Sequence, residues 1–282
     1  MTGSSADRLS RGSLDRLIRK IAEDRGLDLA HYRRPHLERR LATRMRMLGI
    51  ATYHQYAERL DHDPGEYAHF VQTLTINVTD FFRDEGMWDA LRTSVIPEII
   101  AEKKARHGRL IRVWSAACAT GEEPYSIAMS LLDSLGSEAS RLSVAVSGTD
   151  LDPEAIAAAA QGFYPTERLR HVPEDLLNRY FEPAVDGTGR YVRPEVRRLV
   201  RFKNYSLFDR APMKLLDLVM CRNVFIYFDR AEQSQVLDEF WGAISEGGYL
   251  VLGRTEKLAG GGEARFETVN ARERIFRKPM RP

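Results

Sequence analysis

The sequence predicts an α/β protein: a doubly wound parallel sheet covered by helices, led in by an all-α helical domain and interrupted by a small antiparallel β insert. Three observations carry this. Residues 1–76 show helical periodicity and little strand character. From residue 110 onward, short apolar strand patterns alternate with amphipathic helices, which is the rhythm of βαβ units. The stretch RVWSAACATGEEPYSIA (112–128) runs from an apolar strand through small residues into a helix start at Glu122-Glu123-Pro124. Doubly wound folds receive nucleotide-type ligands at such a joint, where free N–H groups of the helix start face the ligand.

The elements follow in order. Residues 13–25 place Leu14, Leu17, Ile18 and Ile21 on one helix face. Residues 35–48 repeat Leu37, Leu41, Met45 and Leu48 at helical spacing, with Pro35 suited to the first turn and Gly49 to the end. The other faces of that helix carry Arg39, Arg40, Arg44 and Arg46. Helices over 53–60 and 64–75 complete a bundle with few aromatic residues beside its arginines, unlike a base-stacking surface. A second domain, 77–282, opens on NVTDFFR, where Thr79 or Asp80 can cap a helix that carries Arg83 one turn in. Strand 110–115 precedes helix 123–135; strand 144–149 precedes helix 153–161, capped by Asp152; strand 217–221 precedes helix 230–244. Strand 247–252 and the pair 266–269 and 274–277 close the sheet. Right-handed crossovers bring the parallel strand ends to one edge. About 163–203 the rhythm breaks: Asp186-Gly187-Thr188-Gly189 is a turn between short strand-like runs at 180–184 and 191–193. Gly260-Gly261-Gly262 reads as a mobile surface loop.

Composition narrows the class. With 43% hydrophobic and 29% charged residues the chain reads as an ordinary soluble protein. It holds no apolar run near the roughly 20 residues that span a bilayer, and MTGSSADRLSRG lacks a signal core, so a cytoplasmic protein without membrane insertion is expected. Cys118 and Cys221 are the two cysteines, read as reduced packing residues. With no His/Cys cluster at ligand spacing, no metal is expected. Net charge is +2, but residues 1–50 carry 12 Lys and Arg against 6 Asp and Glu. A basic leading segment suits an acidic partner.

The chemistry concentrates at the strand ends. The 112–128 joint has one glycine, Gly121, where a dinucleotide fingerprint has three, and two carboxylates where a pyrophosphate would sit. Such a site suits a nucleoside carrying positive charge, a description that S-adenosylmethionine fits. Glu122 and Glu123 either favour the helix dipole alone, or one of them pairs with the ligand ammonium. Asp150, ending SGTD, is placed for ribose hydroxyls, since Asp152 already fills the capping role. Asn77, Thr79 and Arg83 can surround a carboxylate, with Arg83 offering a planar fork; Phe81 and Phe82 read as core. In MCRNVFIYFD, Asn223, Val224 and Tyr227 lie just past a strand end. Tyr227 either lines the reaction path or is a tyrosine satisfied by backbone.

NVTDFFR, RVWSAACATGEEPYSIA, GTD and CRNVFIYF, in this order and spacing, strongly resemble the chemotaxis receptor methyltransferases (CheR-type), together with the basic helix HLERRLATRMRMLG. The resemblance covers nearly the whole chain. It implies a Rossmann-like S-adenosylmethionine-dependent methyltransferase domain with a small β subdomain behind an all-α substrate-recognition domain. It also implies methyl transfer to glutamate side chains in the cytoplasmic helices of chemoreceptors, by a monomer. Carried over by position, it makes Asn77, Thr79, Arg83, Ala117, Glu123, Asp150, Ser206, Leu207, Asn223 and Val224 cofactor contacts. Arg83 and Tyr227 are then nearest the methyl, and Arg40, Arg44 and Arg46 meet the acidic substrate. The family usually has Asn-Leu where this chain has Ser206-Leu207, which implies a looser adenine contact. The short turn in DGTGRYV implies that a receptor-tail tether is not used. Two other readings of the residues stay open: a nucleic-acid methyltransferase, disfavoured by the lack of a Pro-Pro motif in CRNVFIYF, and a non-catalytic cofactor-sensing scaffold.

Overall fold

A computed structural model describes residues 5–25, 27–75 and 77–280. These residues form two compact units. One takes residues 5–75 of this set together with Tyr227–Glu232; the other takes Asn77–Ile226 and residues 233–280.

The first unit contains α1 (Ser5–Arg25), α2 (Arg34–Met47), α3 (Tyr53–His62) and α4 (Glu66–Leu74). Leu14, Leu17 and Ile21 of α1, Leu37, Leu41 and Met45 of α2, Tyr56 and Leu60 of α3, and Phe70 and Leu74 of α4 are buried. The i, i+4, i+8 spacing on α2 thus becomes the core stripe that its periodicity predicts. A reciprocal box starts α3: Thr52 Oγ accepts from the Gln55 N–H at 3.2 Å, and Gln55 Oε1 accepts from the Thr52 N–H at 3.2 Å.

Arg44 departs from the expectation that it faces a substrate. Its guanidinium donates through Nε to Glu66 Oε1 at 2.7 Å and through Nη2 to Oε2 at 2.6 Å, and the Tyr56 hydroxyl adds a third bond at 2.7 Å. Glu66 is 1% exposed. Burial would push its carboxyl up, but the bonds from Arg44 and Tyr56 outweigh burial and hold it below its usual value. A carboxylate that deep needs a two-pronged cation, and α2 supplies it at the cost of one surface arginine.

The second unit opens with a loop. The helix expected from Thr79 or Asp80 does not form there; it starts as α5 (Glu85–Ala90) and runs through a π-turn at Leu91–Val95 into α6 (Ile96–Ala105). The reason is burial. Phe81 packs edge-on against Tyr164 with ring centroids 4.7 Å apart, and Phe82 against Trp88 at 5.2 Å. Both phenylalanines are buried, and sending neighbours to different partners accompanies a φ of +53° at Phe82. Tertiary packing overrides the local capping preference.

Beyond α6 come β1 (Leu110–Ala116), α7 (Glu122–Leu135), β2 (Ser143–Asp150), α8 (Pro153–Gln161), β3 (Phe163–Pro165), α9 (Glu174–Tyr180), β4 (Phe181–Pro183), β5 (Gly189–Val192), α10 (Pro194–Arg197), β6 (Val200–Asn204), β7 (Leu216–Cys221), α11 (Arg230–Ala243), β8 (Ile244–Leu252), α12 (Gly262–Arg265), β9 (Glu267–Asn270) and β10 (Ile275–Arg277). Among the described residues the strands form a seven-stranded sheet in the order β6-β2-β1-β7-β8-β10-β9 and a three-stranded sheet in the order β3-β5-β4. The pairs from β6 to β8 are parallel, and β10 runs antiparallel to both β8 and β9. The small sheet is antiparallel. β6 was not foreseen as a strand; it pairs with β2 along the sheet edge. The glycine run is not simply a loop either, because Gly262 is buried at the start of α12.

Replacing Arg44 with alanine strands a buried carboxylate. The expected loss of unfolding free energy in urea is about 3–5 kcal/mol, and Glu66→Gln in the same chain should recover part of it. Unchanged stability of R44A would show the pair to be incidental.

Candidate functional site

The sheet grows outward from β1 in two directions, to β2 and β6 on one side and to β7 and β8 on the other. In such sheets the ligand crevice lies at the carboxyl ends of the strands beside that switch point. Ala116, Asp150 and Cys221 end β1, β2 and β7 there.

The loop from β1 to α7 is tightly coiled. Ala117, Ala119 and Gly121 have φ of +61°, +47° and +94°, the left-handed region that costs an alanine on the order of 1–3 kcal/mol. Hydrogen bonds hold it: Cys118 N–H to Thr149 O at 2.9 Å, Ala119 N–H to Asp150 Oδ2 at 2.8 Å, and Gly121 N–H to Cys118 O at 3.1 Å. A Cβ on Gly121 would come within 2.7 Å of Ala159 Cβ. Three N–H groups that a phosphate loop would present to its ligand are therefore spent inside the protein.

Asp150 stands at the centre. Its Oδ1 accepts from the Asp152 N–H at 3.0 Å and its Oδ2 from the Ala119 N–H, and the Leu151 N–H also bonds the carboxylate. Burial pushes its carboxyl up despite these donors. Asp152 Oδ1 caps α8 through the N–H groups of Glu154 and Ala155, and its Oδ2 accepts from Asn77 Nδ2 at 2.7 Å. The backbone carbonyl of Asp150 receives Asn204 Nδ2 at 3.0 Å and the Tyr205 N–H at 2.8 Å. This holds the segment with Ser206 and Leu207 alongside β2. The Ser206 hydroxyl accepts from the Phe208 N–H at 3.3 Å, and Leu207 is buried.

The two glutamates that open α7 separate in role. Glu122 is 1% exposed, accepts from Thr120 Oγ1 at 2.7 Å and lies 3.7 Å from Arg168. Burial pushes its carboxyl up to about 7. Glu123 keeps partial exposure and accepts from Ser115 Oγ at 2.7 Å and from Arg222 Nη1 at 3.2 Å. Arg222 also donates to Asp84 and, at 3.2 Å, to the Arg83 carbonyl. The Arg83 guanidinium donates to Val78 O at 2.8 Å, while the Thr79 carbonyl accepts from Arg168 at 3.0 Å. Asn223, at φ +62°, donates its N–H to Glu256 Oε2 at 3.0 Å; Phe225 and Gly253 donate to the same carboxylate at 2.8 and 2.6 Å. Burial pushes Glu256 up, and those N–H groups together with that of Val224 pull against it. A Cβ on Gly253 would sit 2.9 Å from the Asn223 nitrogen, so glycine lets the end of β8 close on this loop.

Bonds through Asp150 and Asp152 join Asn77 to the β1–α7 loop, which carries Ala117, and to Asn204 and Tyr205, which lead into Ser206 and Leu207. Arg222 joins Arg83 to Glu123, and Glu256 holds Asn223 and Val224. Tyr227 packs in the helical unit, as do Arg40, half-buried, and Arg46, exposed. Sequence reasoning missed Asp84, Arg168, Arg222 and Glu256. Arg222 left one signal, a charge in an otherwise apolar run directly after a strand; Glu256, in GRTEK, left none. The buried set of carboxylates, small residues and amides suits an adenosyl ligand with positive sulfonium and ammonium groups better than a phosphate.

Comparison with known proteins agrees. Residues 77–275 match the family "CheR methyltransferase, SAM binding domain", and residues 13–75 match "CheR methyltransferase, all-alpha domain". Among curated relatives, a chemotaxis protein methyltransferase of Listeria monocytogenes is 31% identical, over 89% of this chain and 92% of its own length. Chemotaxis protein methyltransferase 2 of Pseudomonas aeruginosa is 35% identical, over 83% of this chain and 82% of its own. The chemotaxis protein methyltransferase of Escherichia coli is also 35% identical, over 89% and 86%. The chain belongs to the CheR family of S-adenosylmethionine-dependent chemotaxis methyltransferases.

Proposed function

We propose that this chain methylates glutamate side chains on the cytoplasmic helices of chemoreceptors, as a cytoplasmic monomer, in chemotaxis adaptation. In this reading residues 1–76 recognise the substrate and residues 77–282 carry the methyltransferase. The observation that supports it most is the group of strand-end carboxylates around Asp150 and Glu123, beside a loop whose N–H groups are already bonded. Among the described residues no helix is long and apolar enough to cross a membrane.

When bound, S-adenosylmethionine supplies a methyl group made electrophilic by its sulfonium, and a carboxylate that takes it becomes a methyl ester. Asp150 serves the ribose hydroxyls. Glu123 offers its partly exposed carboxylate to the ammonium, and Ala117 leaves room for close approach. Asn77 and Thr79 line the site from the opening loop; Ser206, Leu207, Asn223 and Val224 meet the adenine. Arg83 and Tyr227 stand on the methyl path. A substrate glutamate, with an ordinary pKa of about 4.3, is ionised at pH 7 and needs no general base. Two opposite charges vanish on the way to products, so a dry, well-oriented site favours transfer. An arginine clamped hard on the substrate carboxylate would stabilise the ground state. Arg83, tethered to the Val78 carbonyl, is better suited to fixing direction. Exposed Arg46 and the part of Arg40 that stays accessible remain for steering an acidic helix, while Arg44 is withdrawn by Glu66.

Incubation with labelled cofactor and a chemoreceptor cytoplasmic fragment should give label that is released by base; label stable to base would contradict an ester. Arg83→Ala should slow transfer roughly 100-fold, the scale of lost positioning, and a wild-type rate would remove Arg83 from the path. Glu256→Ala strands several buried N–H groups. At about 1–3 kcal/mol each, this should weaken S-adenosylhomocysteine binding at least tenfold by calorimetry, with Glu256→Gln intermediate. Equal affinity in all three proteins would free Asn223 and Val224 from any role in binding.

A further inference from the structure

Residues Tyr227–Glu232 pack with the helical unit, and the contacts are specific. Tyr32 and Phe228 form an antiparallel bridge, with their rings edge-on at 5.3 Å. The Arg33 N–H donates to Tyr227 O at 2.9 Å, and Arg33 Nε donates to Phe228 O at 2.9 Å. One residue inside the first turn of α2 beyond Pro35 is His36, 7% exposed, with its ring centroid 4.6 Å from that of Tyr227 and tilted by 41°. Its Nε2 lies 3.4 Å from Leu74 O, and its Nδ1 lies 3.5 Å from an Arg39 nitrogen. An arginine only donates, so Nδ1 accepts, and Nε2 carries the proton toward the Leu74 carbonyl. Both ring nitrogens are used by the neutral form, and neither contact is to Tyr227 itself, which leaves the ring face and edge to pack on the tyrosine.

We propose that His36 is a positioning residue for methyl transfer: its neutral ring sets the orientation of Tyr227, and protonation releases it. This rests on the reading that Tyr227 stands on the methyl path. The groups around the imidazole define the switch. Arg39 and Arg40 of α2 face it with positive charge, the Leu74 carbonyl of α4 faces it as an acceptor, and the rings of Tyr32 and Tyr227 cover it. A second proton would have to sit on Nδ1, against Arg39. Burial, together with Arg40 and Arg39, holds its pKa below the ordinary value of 6.5, against the pull of Leu74. The unfolded chain takes up this proton near pH 6.5 and the folded chain only lower. Stability of the helical unit is therefore complete above pH 6.5 and declines as pH falls through that window. Transfer should be level above neutrality and fall through the lower, folded pKa.

The test compares kcat from pH 5 to 8 in wild type, H36Q and Y227A, with S-adenosylmethionine and a chemoreceptor cytoplasmic fragment, alongside NMR titration of the His36 ring in wild type. Expected are an acid limb in wild type at the pH where the His36 ring titrates, loss of that limb in H36Q, and S-adenosylhomocysteine affinity within about twofold across the set at pH 7, a shift of under half a kcal/mol. An acid limb that persists in H36Q while Y227A is impaired would overturn the role of His36 alone, as would a limb displaced from the NMR titration. Y227A at the wild-type rate would remove Tyr227 from the methyl path, and the proposal with it.

Discussion

Arg222 carries its guanidinium into the interior at the end of β7, where its side chain is only 5% exposed, and it must find acceptors there. Two segments supply three acceptors: the loop before α5 gives Asp84 and the Arg83 carbonyl, and the first turn of α7 gives Glu123. A buried charge left without a partner costs several kcal/mol, so neither segment can drift without exposing the arginine to that penalty. The same constraint explains the left-handed Asp84, which turns its carboxylate onto Arg222. An ion pair of this kind is weak as a source of stability and strong as a means of register. It fixes the Arg83 carbonyl, while Glu123 gives one oxygen to Arg222 and the other to Ser115.

Carboxylates do comparable work elsewhere along the strand ends, with backbone N–H groups in place of the arginine. Asp150 draws in the β1–α7 loop through Ala119, Asp152 holds α8 and Asn77, and Glu256 gathers Gly253, Asn223 and Phe225. Each is buried, each binds donors that have no secondary-structure partner, and each converts an irregular loop into a fixed surface. The upward push on Asp150, Glu122 and Glu256 is the cost of taking carboxylates out of water. Arg168 offsets part of it at Glu122 while its bond to the Thr79 carbonyl ties down the opening loop.

The elements were legible in the sequence wherever one period dominated. The apolar stripe of α2, the capped start of α8 at Asp152, and the strand that ends at Asp150 all formed as their patterns required. Failures came where packing across the chain outweighed local preference. Thr79 and Asp80 read as helix caps, yet burial of Phe81 and Phe82 against Tyr164 and Trp88 holds that stretch as a loop. β6 alternates charged with apolar residues on a sheet edge, a weak strand signal next to an insert. Of the residues named from motifs, Asp150, Asn223 and Val224 lie at or just past strand ends, whereas Asn77, Thr79 and Arg83 come from the loop before α5 and Tyr227 packs in the helical unit. Arg222 and Glu256 escaped because their partners lie 138 and 33 residues away, and separation of that kind leaves no periodic trace.

Helix α2 shows how much a single period can conceal. Leu37, Leu41 and Met45 form one stripe and are buried. His36, Arg40 and Arg44 form the adjacent stripe at the same spacing, and it is not a solvated basic face. His36 packs on Tyr227, Arg40 is half-buried with an Nε that has no hydrogen-bond partner among the described residues, and Arg44 closes on Glu66. Only Arg39 and Arg46, seven residues apart, are left exposed. A count of arginines therefore overstates the charge available to an acidic partner. A face that looks uniformly basic in sequence is divided between an internal ion pair, an aromatic contact and a narrower exposed strip. The strip is screened by salt like any surface charge, whereas the Arg44–Glu66 pair is screened much less. The charge of α2 is thus sorted onto different edges of one helix, with Arg44 and His36 turned inward and Arg39 and Arg46 exposed.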